Sequence, residues 1–270
     1  MRDGHLTPAQ LRSHAWVRLF PDVYACVSLP VTHQLRTRAA ARLVLPGAVV
    51  CGRSAAAQWG VTAVQPDDDV ELLVPPTCRA GAARGLLVRR SPINPSDVRV
   101  VRGLRVTSPI RTALDLARTR PLTEAVALVD QLAAAGVVDL AAARASAAGM
   151  VGRDCRVVRD VLARADGLAG SPQETRLRLL VAGSTLPQPV AQFTVRHAGR
   201  FVARVDFAWP EHRLALEYDG LWHGEPGQFA ADRQRLNRLL AAGWRVLFVT
   251  AADLHHPGAL LTRIAVELAR

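Results

Sequence analysis

Residues 204–220 read Arg-Val-Asp-Phe-Ala-Trp-Pro-Glu-His-Arg-Leu-Ala-Leu-Glu-Tyr-Asp-Gly, and the period of their apolar positions decides the architecture of the carboxyl-terminal part of the chain. Side chains alternate across a strand, so Val205, Phe207 and Trp209 are expected on one face of a first strand, with Arg204, Asp206 and Ala208 on the other. In the second strand Leu214, Leu216 and Tyr218 form the apolar set, which leaves Ala215, Glu217 and Asp219 opposite. If both apolar sets face one core, Asp206, Glu217 and Asp219 emerge together. A four-residue loop over 210–213 would set Asp206 directly beside Glu217. Like charges that close are unfavourable unless a cation lies between them. Few, rigidly placed, hard oxygen ligands suit Mg2+ or Mn2+, which can polarise a phosphodiester and lower the pKa of a bound water. The competing reading is an ordinary half-exposed strand, since alternating polar residues are what solvent faces carry.

Working outward, Ser171-Pro172 opens a helix over 174–181 that carries Glu174 in its first turn. Strand-like runs follow at 191–196, 201–209 and 213–218, then a helix over 228–242 that stops at Gly243, a strand over 244–250 and a last helix over 258–269. The expected order is αβββαβα.

Upstream, Gly-Leu-Ala-Gly-Ser-Pro at 167–172 reads as a loop, and a boundary is placed there. Thr7-Pro8 opens a helix through Ala15, and 16–25 alternates like two short strands about Pro21-Asp22. A helix over 31–45 follows, and Ser54 is read as the cap of a short helix ending at Gly60. The fold class expected is α+β with α/β character: a winged helix-turn-helix-like region (1–60), a small α+β and helical region (61–170) closed by helices at 122–135 and 155–166, and the αβββαβα domain (171–270).

The 270 residues carry 34 cationic and 23 acidic side chains, a formal charge of +11, and every cation is arginine. Residues 1–170 hold 22 Arg against 14 acids (22 − 14 = +8), and residues 171–270 hold 12 against 9 (12 − 9 = +3). Positive charge raises affinity for phosphate backbones through counterion release, and arginine adds bidentate geometry, so DNA is the partner class expected. A GC-rich genome explains arginine in place of lysine but not the excess of cations. The apolar runs are too short to span a bilayer and no leader-like sequence opens the chain, which points to a cytoplasmic protein without a membrane partner. Cys26, Cys51, Cys78 and Cys155 fit no paired metal spacing, so neither a disulfide nor zinc is expected.

Two resemblances add to this. Leu6-Thr7 with Gln10-Leu11, Val23-Tyr24-Ala25, Ser54-Ala55-Ala56 with Gly60, and 107–117 (Thr-Ser-Pro-Ile-Arg-Thr-Ala-Leu-Asp-Leu-Ala) resemble AbiEi-type antitoxin and regulator proteins of bacteria. That implies DNA binding through a winged helix. Asp206-Phe207, Glu217-Tyr218-Asp219-Gly220 and His223, then Asp232, Arg235 and 243–247, are similar to the PD-(D/E)XK nuclease superfamily, and most to its very-short-patch-repair-like group, the domain-of-unknown-function family 559. This second resemblance covers about 171–254. It implies a restriction-endonuclease-like fold and a magnesium-dependent endonuclease, a hydrolase in which Asp206 and Glu217 ligate the metal and Glu174 supports the site. Asp219 stands where the signature has lysine and either joins the metal ligands or activates water, and His223 is the further candidate base. Arg204 and Arg233 join Asp232 and Arg235 as DNA-binding or supporting residues, with Arg235 either on phosphate or paired with Asp232. The alternative is a regulator of antitoxin type whose nuclease fold no longer cuts.

Overall fold

The structure, a computed structural model, describes residues 6–61, 64–79, 83–220 and 228–270. It is a mixed α and β chain that divides into two compact units, 1–119 with 135–164, and 120–134 with 165–270.

The first unit begins with α1 (Pro8–Leu11), closed by a capping box between Thr7 and Gln10. The helix expected through Ala15 ends early, where the Ser13 hydroxyl takes the Gln10 carbonyl (2.7 Å) and competes with continued helix bonding. Strands β1 (Trp16–Phe20) and β2 (Val23–Cys26) form an antiparallel hairpin, turned by Asp22 at a φ of 59°. Helix α2 (His33–Ala39) is capped by Thr32 and loosens into one π-helical turn, Ala40–Val44. After β3 (Val49–Val50) comes α3 (Gly52–Gln58). Ser54 is not its cap but its third residue, and its hydroxyl is buried between His33 Nε2 and the Glu71 amide, each at 2.8 Å.

Strands β4 (Val70–Val74), β5 (Leu86–Arg90), β6 (Val98–Val101) and β7 (Leu104–Thr107) complete a five-stranded sheet of order β5-β4-β3-β7-β6. Phe20 and Val23 from the hairpin share one core with Val50, Leu72 and Val106 from that sheet, so residues before and after 60 fold together. Helix α4 (Pro109–Leu116) is capped by Ser108. The chain then lends α5 (Leu122–Ala134) to the second unit and returns with α6 (Leu140–Ala148) and α7 (Cys155–Arg164). The helix expected to close the amino-terminal region therefore packs elsewhere, against α8 (Pro172–Ala182).

The second unit continues from α8 with β8 (Val190–His197), β9 (Arg200–Trp209), β10 (Leu214–Tyr218), α9 (Gln228–Ala241), β11 (Arg245–Val249), the one-turn α10 (Ala251–Leu254) and α11 (Pro257–Leu268). The sheet order is β11-β10-β9-β8; β10 and β11 are parallel and the other pairs antiparallel. Leu177 and Val181 of α8 and Leu260 and Ile264 of α11 pack with Phe207, Trp209, Leu214 and Leu216 in one cluster. Leu239 and Ala242 pack with Val205, Ala208, Ala215 and Trp244 in another. Gly243 ends α9 at a φ of 78°, a backbone that an L side chain rarely adopts. Among the described residues no helix is long and apolar enough to cross a membrane.

Candidate functional site

The turn between β9 and β10 is a 3-10 segment, Pro210–His212, followed by Arg213 in the left-handed region, φ 47°. This four-residue connection sets Trp209↔Leu214, Ala208↔Ala215 and Phe207↔Leu216. The ladder stops there. The next free amide of β10, Tyr218 N–H, donates instead to Asp206 Oδ2 at 2.9 Å, so a carboxylate takes the place of a backbone carbonyl. At the same point the alternation of β9 breaks: Val205 packs with Ala208 and Ala215, not with Phe207 and Trp209 as the pattern predicts. Gln192 and Asp206 lie between the pairs Ala191↔Phe207 and Phe193↔Val205, and Gln192 has a φ of 50°, a local distortion that strict alternation cannot express.

Glu174 reaches this point from the first turn of α8. Its Oε1 accepts the Ser171 hydroxyl (2.9 Å), and its Oε2 accepts the Gly170 amide (2.8 Å) and the Gln192 side-chain amide (3.1 Å). Gln192 in turn accepts from Arg204 Nε at 2.8 Å. Asp206 is close enough to Glu174 that its charge disfavours ionisation of Glu174. Burial raises the pKa of Glu174, with the Asp206 charge next; burial also raises Asp206 against its bond from Tyr218, and Glu217 against its pairing with Arg235.

Glu217 is buried, and both its oxygens are taken by Arg235 of α9, Nη1 at 2.6 Å and Nη2 at 2.8 Å. Arg235 Nη2 also donates to the Arg204 carbonyl at 2.6 Å. The sequence offered Arg235 either phosphate or Asp232; its carboxylate here is Glu217, across the sheet. Asp219 is exposed and lines, with Glu217, Asp232, Arg233 and Arg235, a cavity of about 460 Å³. His223 lies outside the described residues. Glu174, Asp206 and Glu217 are thus gathered, while Asp219 stands at the cavity beside only the last of them. Among the described residues no three His, Cys, Asp or Glu side chains converge as ligands for one metal ion. With Glu217 doubly engaged by a guanidinium, the set as it stands does not fit a divalent cation.

Two participants carried no signal that alternation could reveal. Gln192 links Glu174 to Arg204 from the neighbouring strand, and Asp130 of α5 holds the helix behind them. Asp130 is fully buried; its Oδ1 accepts the amides of Asp166 and Gly167 (2.8 and 3.0 Å), and its Oδ2 accepts Thr175 Oγ1 (2.8 Å) and Arg178 Nη2 (2.7 Å). An acid inside the otherwise apolar run of α5 was the one available hint.

In the first unit several arginines that raise the net charge are architectural. Arg36 is buried, donates to the carbonyls of Pro66 and Asp68 (2.8 and 2.7 Å) and lies over the Phe20 ring at 5.7 Å. Arg89 is bound to the buried Glu71 at 2.6 Å, and a Cβ on Gly52 would overlap that carboxylate. Arg12, Arg18, Arg38 and Arg42 are exposed.

The AbiEi antitoxin C-terminal domain family matches residues 48–162, from the residue before β3 to the last turn of α7, and stops short of the acid cluster. Uncharacterized protein MT2308 of Mycobacterium tuberculosis strain CDC 1551 is 31% identical over 97% of this chain and 95% of its own length. Uncharacterized protein Rv2248 of strain H37Rv matches to the same extent. The crystal structure of the RV2827C protein from Mycobacterium tuberculosis covers 69% of this chain and 71% of its own, at 21% identity and a TM-score of 0.39.

Proposed function

The chain belongs to the family of the MT2308 and Rv2248 proteins, and from that premise we propose that it is a DNA-binding regulator of antitoxin type. The observation that carries this reading is the AbiEi antitoxin C-terminal domain match over residues 48–162. AbiEi antitoxins bind DNA, and the excess of arginine over acid in residues 1–170 (22 − 14 = +8) supplies the charge such binding uses. In this reading α1 and the β1–β2 hairpin act as the winged-helix contact, with exposed Arg12 and Arg18 toward phosphate. The test is footprinting of the purified full chain on the DNA upstream of its own reading frame. One discrete protected site, with affinity falling steeply as salt rises, is the expected result. Uniform protection without a site, or none, overturns the reading.

A second reading, a magnesium- or manganese-dependent endonuclease, is favoured by one specific observation: Asp206 lies close enough to both Glu174 and Glu217 for its charge to disfavour their ionisation, and burial raises the pKa of all three, as is common among functional carboxylates. On this reading Asp206, Glu217 and Asp219 would hold the ion only in an arrangement other than the one observed, with Arg235 withdrawn from Glu217, and the ion would supply an activated water. Plasmid nicking with Mg2+ or Mn2+, wild type against Asp206→Ala, decides it. Metal-dependent nicking lost in the variant supports the reading; equal or absent nicking removes it.

A further inference from the structure

We infer that the β8–β9 hairpin is a second DNA contact, in which Arg196 and Arg200 grip the backbone and Phe201 stacks on a base. This rests on the reading of the chain as DNA-binding and adds to it an element outside the matched antitoxin region. From 190 to 205 the sequence holds three arginines and one histidine and no acid. The two strands pair from Val190 to His197, and over residues 200–206 the β9 strand has, among the described residues, β8 as its only sheet partner. Ala198 and Gly199 both take positive φ, 49° and 76°, the signature of the tight turn that matches strand twist, so the tip is compact.

Directly opposed residues share a face of a ribbon. Arg196↔Phe201 and Thr194↔Arg204 are such pairs, and all four are exposed; Arg200, paired with His197, flanks the turn at the tip and is exposed as well, so it meets the backbone from the edge of this face. Phe201 is 63% exposed, unusual for an aromatic side chain on a strand whose other apolar members are covered. The opposite side is anchored: Val195, Ala203 and Val205 are buried, and Phe193 packs on Trp244 with ring centroids 5.6 Å apart. Among the described residues no carboxylate is within ion-pairing distance of Arg196 or Arg200. The outer face is therefore rigid, cationic and aromatic, the combination that tracks a phosphate backbone while offering a stacking surface. It leads from the tip through Arg204 and Gln192 to Glu174 and Asp206.

The partner this chemistry fits is DNA with an accessible base face. Fluorescence anisotropy with the full chain and a labelled 20-nucleotide single strand, and with its duplex, at several salt concentrations tests it. Phe201→Ala should weaken single-strand binding by about tenfold, the scale of one stacked base, and Phe201→Tyr should restore it. Arg196→Ala with Arg200→Ala should lower the salt dependence by about two phosphate contacts on both probes. All these positions are exposed, so melting temperatures should stay at the wild-type value. If wild type binds and every variant binds equally with the same salt slope, the hairpin contact is overturned while the DNA-binding reading stands. If wild type binds neither probe, both fail.

Discussion

Asp130 and Glu217 are both buried carboxylates of the second unit that face an arginine, yet their surroundings differ in kind. Asp130 receives two backbone amides, a hydroxyl and a guanidinium from two separate stretches of chain, 166–167 and 175–178. It ties α5 to the loop before α8 and to α8 itself. Among the described residues Glu217 receives only Arg235, a side chain on a helix face that borders a cavity. A carboxylate saturated by backbone donors is held in place by the fold and cannot exchange partners without unfolding. One held by a single guanidinium can release it with only rotamer changes, the guanidinium to a phosphate and the carboxylate to a cation. The difference separates an acid that builds the molecule from one able to change partners.

The comparison breaks first on stability. Asp130→Ala leaves two amides and the Thr175 hydroxyl without their acceptor in the interior and takes from Arg178 one of its two carboxylate partners, Asp166 being the other, which together costs about 3–5 kcal/mol. Glu217→Gln keeps an acceptor for Arg235, which is about one-third exposed, and costs about 1 kcal/mol or less after solvent screening. Urea denaturation of both variants checks this; equal losses would erase the distinction. The same pair sharpens the second functional reading. If a divalent cation competes with Arg235 for Glu217, Arg235→Gln should tighten Mn2+ binding measured by calorimetry, and unchanged or absent heat in both proteins counts against any metal there.

How much of this was legible follows from the range over which each rule acts. Alternation together with the Pro210 turn was enough to place Phe207 against Leu216, because both depend on neighbours in sequence. The same alternation misassigned Val205, which packs in a different cluster from Phe207 and Trp209 beside the point where Gln192 of the neighbouring strand takes a positive φ, and no local pattern announces such a break. Arg235 was weighed against Asp232 by helix spacing, a local criterion, whereas its partner lies on β10. Ser54 satisfied the composition rule for a cap, but burial beside His33 and Glu71 gave its hydroxyl better partners than a helix end offers. Helix α5 was assigned by sequence order, and its buried Asp130 shows why order failed: its acceptors are claimed by residues 166–178.

The smallest effect is also the most diagnostic, because its sign depends on pH. Burial raises the pKa of Asp206 above its ordinary 3.8, so between that value and the folded one the folded protein holds more protons than the unfolded chain. Stability contributed by this group therefore falls as pH rises through the window and stays low above it. Asp206→Asn cannot ionise and keeps an acceptor for the Tyr218 amide. Its melting temperature should match or fall below wild type at pH below 3.8 and exceed it by a few degrees at neutral pH, the mark of a residue kept at the expense of stability. Asp253 is the internal control. The Thr250 amide and hydroxyl, with Arg263, lower its pKa, so its contribution is present above 3.8 and lost as pH falls through the folded value. Asp253→Asn should accordingly lose ground to wild type as pH rises, the opposite slope. Parallel slopes for the two variants would mean that Asp206 is no more strained than a helix-capping acid, and the acid cluster would then be architecture like Asp130.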